Sequence, residues 1–81
     1  MDDVLEEAIS ALDELSQDTT IPKNIKSKIL EVLGILKGDI DLSLKVNKAL
    51  SELDEINDDS NLQPYTRTQI WNIVSMLESV K

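Results

Sequence analysis

The chain has no cysteine, no histidine and no phenylalanine. Without cysteine there are no disulfides, no thiolate metal sites and no cysteine nucleophile. Without histidine the commonest general base and the commonest zinc ligand are both missing. Only two glycines are present, so no glycine-rich phosphate loop can be built. Aromatic side chains are reduced to one tryptophan and one tyrosine. No apolar run approaches the ~20 residues of a membrane span. Met1-Asp2-Asp3 is the wrong charge for a signal peptide, so a soluble cytoplasmic protein is expected.

What is present is acid. Sixteen Asp and Glu against eight Lys and Arg give a net charge of −8. Nucleic acid is a poor partner for such a chain, because affinity there comes largely from Lys and Arg on phosphates. Lys23, Lys26 and Lys28 cluster in sequence, but on a helix Lys28 points away from Lys23. At 81 residues the chain is a single domain, residues 1–81. It is close to the length at which one core barely outweighs the entropy of ordering the chain. A homodimer or a protein partner would add buried surface.

Apolar residues recur at helical spacing in four stretches, and period-two alternation is absent. Leu5, Ala8, Ile9, Leu12 and Leu15 form the first stripe, with Asp2 or Asp3 as cap. Asp13 and Glu14 sit near its C-terminal end, where the helix dipole opposes negative charge. Ile25, Ile29, Val32, Leu33 and Leu36 form the second, with Thr20 as cap and Lys37-Gly38 as a stop signal that suits a left-handed glycine. Gly34 inside this helix costs about 1 kcal/mol against alanine, and close approach of another helix would explain it. The third helix runs from about Ile40 to Ile56, capped by Asp39, with Leu42, Val46, Ala49, Leu50, Leu53 and Ile56 on one face and Leu44 pointing elsewhere. Pro64 opens the fourth, whose stripe is Ile70, Ile73, Val74, Leu77 and Val80. Trp71 lies roughly 120° from the centre of that stripe at about 100° per residue. It either packs on a neighbouring helix or anchors a partner chain. Only the end residues read as disordered.

The first half recurs in the second at a constant offset. Ala8 matches Ala49, Leu12-Asp13-Glu14 matches Leu53-Asp54-Glu55, Asp18 matches Asp59, Ile29 matches Ile70 and Leu36 matches Leu77. The unit is a helical hairpin, repeated over about 3–37 and 40–80. Short connections favour antiparallel neighbours, so the expected fold is all-α: an antiparallel four-helix bundle of two duplicated hairpins. A HEAT-like stack of helix pairs is the alternative. Asp18 with Lys26, and Asp59 with Arg67, recur at one spacing and read as ion pairs or loop clamps. Arg67 can make a bidentate contact that a lysine cannot.

The strings Leu12-Asp13-Glu14-Leu15, Asp18-Thr19, Leu53-Asp54-Glu55-Ile56 and above all Thr66-Arg67-Thr68-Gln69-Ile70-Trp71-Asn72-Ile73 resemble an uncharacterised family of short archaeal proteins. The resemblance spans nearly the whole chain. It implies an all-helical bundle and supplies no activity and no catalytic or ligand residues. Where arginine is expected after Ile25, this chain has Lys26.

Candidate sites are few. Asp39, Asp41 and Ser43 echo the opening of a calcium loop, but Leu44 and Leu50 occupy the positions that require glycine and glutamate. Asp13-Glu14 and Asp54-Glu55 lack the Glu-x-x-His partners of a di-metal bundle site. No metal site, cofactor or catalytic residue is assigned, and an enzyme is not expected. The leading expectation is a small interaction or adaptor module acting through helical faces. Leu30 and Trp71, at equivalent places in the two repeats, would join Leu44 and Met76 in an exposed apolar patch. The alternative is a binder of a metal ion or small cationic ligand through the acidic connections.

Overall fold

A computed structural model describes residues 3–80. The expectations placed on Asp2 as a cap and on disorder at the chain ends concern residues outside that span. Four helices follow in order: α1 (Asp3–Ser16), α2 (Lys23–Lys37), α3 (Leu42–Asn57) and α4 (Pro64–Val80).

The way the helices neighbour one another decides the architecture. α1 packs on α2 and α4, and α3 packs on α2 and α4, while the α1/α3 and α2/α4 pairs stay apart. A HEAT-like stack would bring together first helices with first and second with second, which are the two pairs that do not meet. The closed square of an antiparallel four-helix bundle is the arrangement found, 33 × 19 × 19 Å in extent.

The core is the set of stripes read from the sequence. Ala8, Leu12, Ile25, Ile29, Val32, Leu36, Val46, Ala49, Leu53, Ile56, Ile70, Ile73 and Leu77 are almost wholly withdrawn from water. Ile29 and Ile70, equivalent in the two repeats, are both 0% exposed. Leu5, Ile9, Leu50, Val74 and Val80 sit at the margins of the core, half-buried. Leu42, expected inside, is exposed because it is the first residue of α3 and overhangs the bundle end. The core position held by Ile25 in the first repeat is held by buried Thr66 in the second.

The main-chain hydrogen bonds of the two hairpin connections repeat. Asp18 N–H donates to Leu15 O and Asp59 N–H to Ile56 O, and the Ile21 and Leu62 amides close back on Asp18 O and Asp59 O. In each loop the aspartate carboxylate accepts the amide two residues on, Thr20 N–H at 2.9 Å and Asn61 N–H at 2.8 Å. Helix entry is duplicated too: Lys26 N–H donates to Pro22 O and Arg67 N–H to Gln63 O. The duplication is therefore visible in the backbone and not only in side-chain similarity.

The caps differ from expectation. α2 starts after Pro22, whose fixed φ suits the position, and Thr20 is instead engaged with Asp18. α3 starts after Asp41 rather than Asp39, with no side-chain cap bond. Gly38 is the C-cap of α2 but is extended (φ −69°, ψ 163°), not left-handed. A Cβ there would stand 3.2 Å from Ile35 O, so the turn is tight. Gly34 faces open space: a Cβ there would meet nothing within 4 Å, and no helix approaches it. At the C-terminal end of α1, where acids oppose the dipole, Ser16 Oγ donates to Asp13 O at 2.7 Å and helps close the last turn.

Candidate interaction surface

α4 carries the feature that sets it apart. α1 holds five charged residues (Asp3, Glu6, Glu7, Asp13, Glu14), α2 five (Lys23, Lys26, Lys28, Glu31, Lys37) and α3 five (Lys45, Lys48, Glu52, Asp54, Glu55). α4, the longest helix, holds two, Arg67 and Glu78. Residues 60–77 form the longest acid-free run of the chain. Its exposed residues include Tyr65, Thr68, Trp71, Asn72 and Ser75, none of them charged, and, two turns beyond Trp71, the acid Glu78. Trp71 is 63% exposed, which settles its two readings against internal packing.

Several polar groups of this helix bond locally, while the buried Arg67 Nε has no hydrogen-bond partner. Gln69 Nε2 donates to Tyr65 Oη at 2.8 Å, and Thr68 Oγ1 donates to Pro64 O at 3.1 Å. Arg67 is half-buried, and its Nη2 donates to Asp59 O at 3.1 Å, back toward the loop.

A groove lies on each side of α4. The α1 side is lined by Ala11, Glu14, Leu15, Asp18, Tyr65 and Gln69. The α3 side is lined by Asn47, Leu50, Ser51, Asp54, Val74 and Glu78. Each groove holds two carboxylates and no base. Elsewhere bases answer the acids: the α1/α2 groove pairs Glu6 and Asp13 with Lys37 among its walls. Across α2 and α3, Lys28 Nζ reaches Glu55 at 3.2 Å and Glu52 at 3.9 Å. The hydrogen bond and charge of Glu55 raise the Lys28 pKa. These pairs join residues far apart in sequence, so no local pattern announced them.

The expected four-residue patch does not assemble. Leu30 is 51% exposed, but it lies on α2, diagonally across the bundle from α4. The same duplication that makes Leu30 and Trp71 equivalent puts them on opposite flanks. Leu44 is exposed on the outer face of α3, near exposed Ile40 and Leu42 in sequence. Met76 is half-buried against the core.

The repeated acid–base pairs are also corrected. Asp18 accepts from Thr20 N–H and, at 2.7 Å, from Thr20 Oγ1, and no ion pair joins it to Lys26. Those bonds, the hydroxyl first, hold its carboxyl below the usual aspartate range. Asp59 likewise turns its carboxylate to Asn61 N–H, and Asn24 Nδ2 approaches it from α2 at 3.4 Å. The carboxylates are taken by their own loops, so Arg67 takes the main-chain carbonyl. The loop clamp exists in the second repeat; the ion pairs do not. Among the described residues no three acids gather closely enough to hold a metal ion. Nor, among them, is any helix long and apolar enough to cross a membrane.

Similarity to other proteins covers the whole bundle. The model of an uncharacterised protein family, UPF0147, matches residues 1–80. A UPF0147 protein of Methanocaldococcus jannaschii is 40% identical over 81 residues, 99% of this chain and 87% of that protein. One from Methanosarcina acetivorans is 34% identical over 79 residues, 96% of this chain and 81% of its own length. The crystal structure of a UPF0147 protein from Thermoplasma acidophilum superposes with a TM-score of 0.93 at 35% identity, covering 98% of this chain and 94% of that one.

Proposed function

This chain belongs to the UPF0147 family, whose description carries no activity, and from its surface we propose that it is a non-enzymatic, cytoplasmic interaction or adaptor module that docks a protein through the outer face of α4. The observation that carries this reading is the exposed Trp71 in the middle of the helix with the fewest charges, on a chain with a net charge of −8. Protein interfaces are depleted in charge at their centre and enriched in tryptophan and tyrosine, and such aromatic residues dominate binding energy. Folding gains little from leaving Trp71 in water.

Site-specific photo-crosslinking in the native cell tests this. A photoreactive residue at Thr68 or Ser75 is expected to give discrete protein adducts, and one at Glu7 or Glu31 is not. Equal labelling from all four positions, or no adduct from α4, would dispose of the reading.

A further inference from the structure

The walls of the two grooves say what kind of surface α4 is built to meet. Glu14 and Asp18 stand in the groove on one side of α4, Asp54 and Glu78 in the groove on the other. No lysine or arginine lines either groove, and among the described residues both ion pairs belong to Lys28, on another face. Arg67, the one base of α4, is half-buried and spends an Nη2 hydrogen on Asp59 O. The ridge of α4 thus carries Trp71 among uncharged residues, with Glu78 two turns beyond it, and carboxylates stand along both edges.

Resting on the reading of α4 as the docking face, we propose that its partner is a protein surface, such as an amphipathic helix, with an apolar centre flanked by lysine or arginine. An apolar stripe laid over Trp71 would bring flanking cations to the two carboxylate edges, the usual complementarity of helix-in-groove recognition. A second copy of this chain fits poorly. Its own α4 would set Glu14, Asp18, Asp54 and Glu78 against the same four carboxylates, and like charges across an interface suppress a pairing. The first repeat shows that this surface is not a by-product of the fold. At the place of Trp71 it has Leu30, on a helix that carries four lysines and a glutamate.

The test uses a fluorescein-labelled 18-residue amphipathic peptide with a leucine face edged by lysines, and its counterpart with glutamates. Binding is followed by anisotropy and by the emission of Trp71, the chain's single tryptophan. The lysine peptide is expected to bind and shift that emission to the blue, and the glutamate peptide to do neither. Trp71→Ala should weaken binding roughly tenfold or more, the size of a hot-spot loss. The pair Asp54→Asn with Glu78→Gln should weaken it several-fold, and Glu6→Gln with Glu7→Gln, on α1, should leave it unchanged. All these side chains are on the surface except for their helix backbone, and circular dichroism confirms retained fold. No binding, equal binding of both peptides, or equal losses from every carboxylate variant with none from Trp71→Ala would overturn the proposal. In the crosslinking experiment, α4 adducts to a second copy or to an acid-edged partner would sink this inference alone, whereas absent α4 adducts would sink the docking face as well.

Discussion

Arg67 and Lys26 occupy the same place in two copies of one loop, yet only the arginine reaches the loop carbonyl. A guanidinium offers several N–H donors in a rigid fork, and an ammonium at the end of a flexible stem does not hold that geometry. Removing Arg67 to alanine is therefore expected to cost roughly 1 kcal/mol, the scale of one net hydrogen bond, while Lys26→Ala changes stability by less than about 0.5 kcal/mol. Thermal melts of the two variants check this, and equal melting temperatures would contradict it. Asp18 gives a prediction in pH. Its carboxyl titrates below the usual range because Thr20 hydrogen bonds favour the anion. A group with a depressed folded pKa stabilises above its unfolded value, near pH 4, and loses that contribution as pH falls through the folded value. The difference in melting temperature between wild type and Asp18→Ala should thus be present at pH 6 and close as pH drops below about 4. Lys28, shifted upward by Glu55, has the opposite sign: its contribution is whole below its unfolded value and is lost in strong alkali.

At the scale of the helix, periodicity carried most of the information. Every stripe position with a full 3.6-residue context, from Ala8 to Leu77, is buried or packed half-buried against the core. The flank placement of Trp71 also followed from its angle alone. Errors cluster at helix ends, where a few local bonds decide between neighbouring starts. Thr20 is a good cap by type, but Asp18 captures it first. Gly38 has the residue type of a left-handed cap and takes an extended one. The charge depletion of α4 was present in the sequence as the acid-free run at 60–77, and only a comparison between helices exposes it. The grooves were not legible, because Glu14 and Asp18 come to line one groove with Tyr65 only through the packing of the first helix on the last. At Gly34 the expected neighbouring helix is replaced by solvent. With nothing to clash with and ordinary helical backbone, Gly34→Ala should stabilise the protein by about 1 kcal/mol. That corresponds to a rise of about 4–8 °C in melting temperature for a domain of this size. A fall would show that α2 is constrained there by something other than its neighbours.

For the molecule as a whole, one interior serves two unlike exteriors. The repeats share their buried positions and loop bonds, while α2 is studded with charge and α4 is nearly free of it. Core residues answer to packing and hold both copies to one pattern, whereas surface residues are free to diverge. The contact of α1 with α4 has a further consequence. Under the internal symmetry it is the counterpart of the contact between α2 and α3, which the four residues Gly38–Asp41 already bridge. The seam of the ring is therefore movable. A circular permutant that begins at Leu42, with a linker of similar length from Val80 to Asp3, should fold to the same bundle and melt within a few degrees of the parent. The order in which the genetic message delivers the two hairpins is then immaterial to the shape they reach.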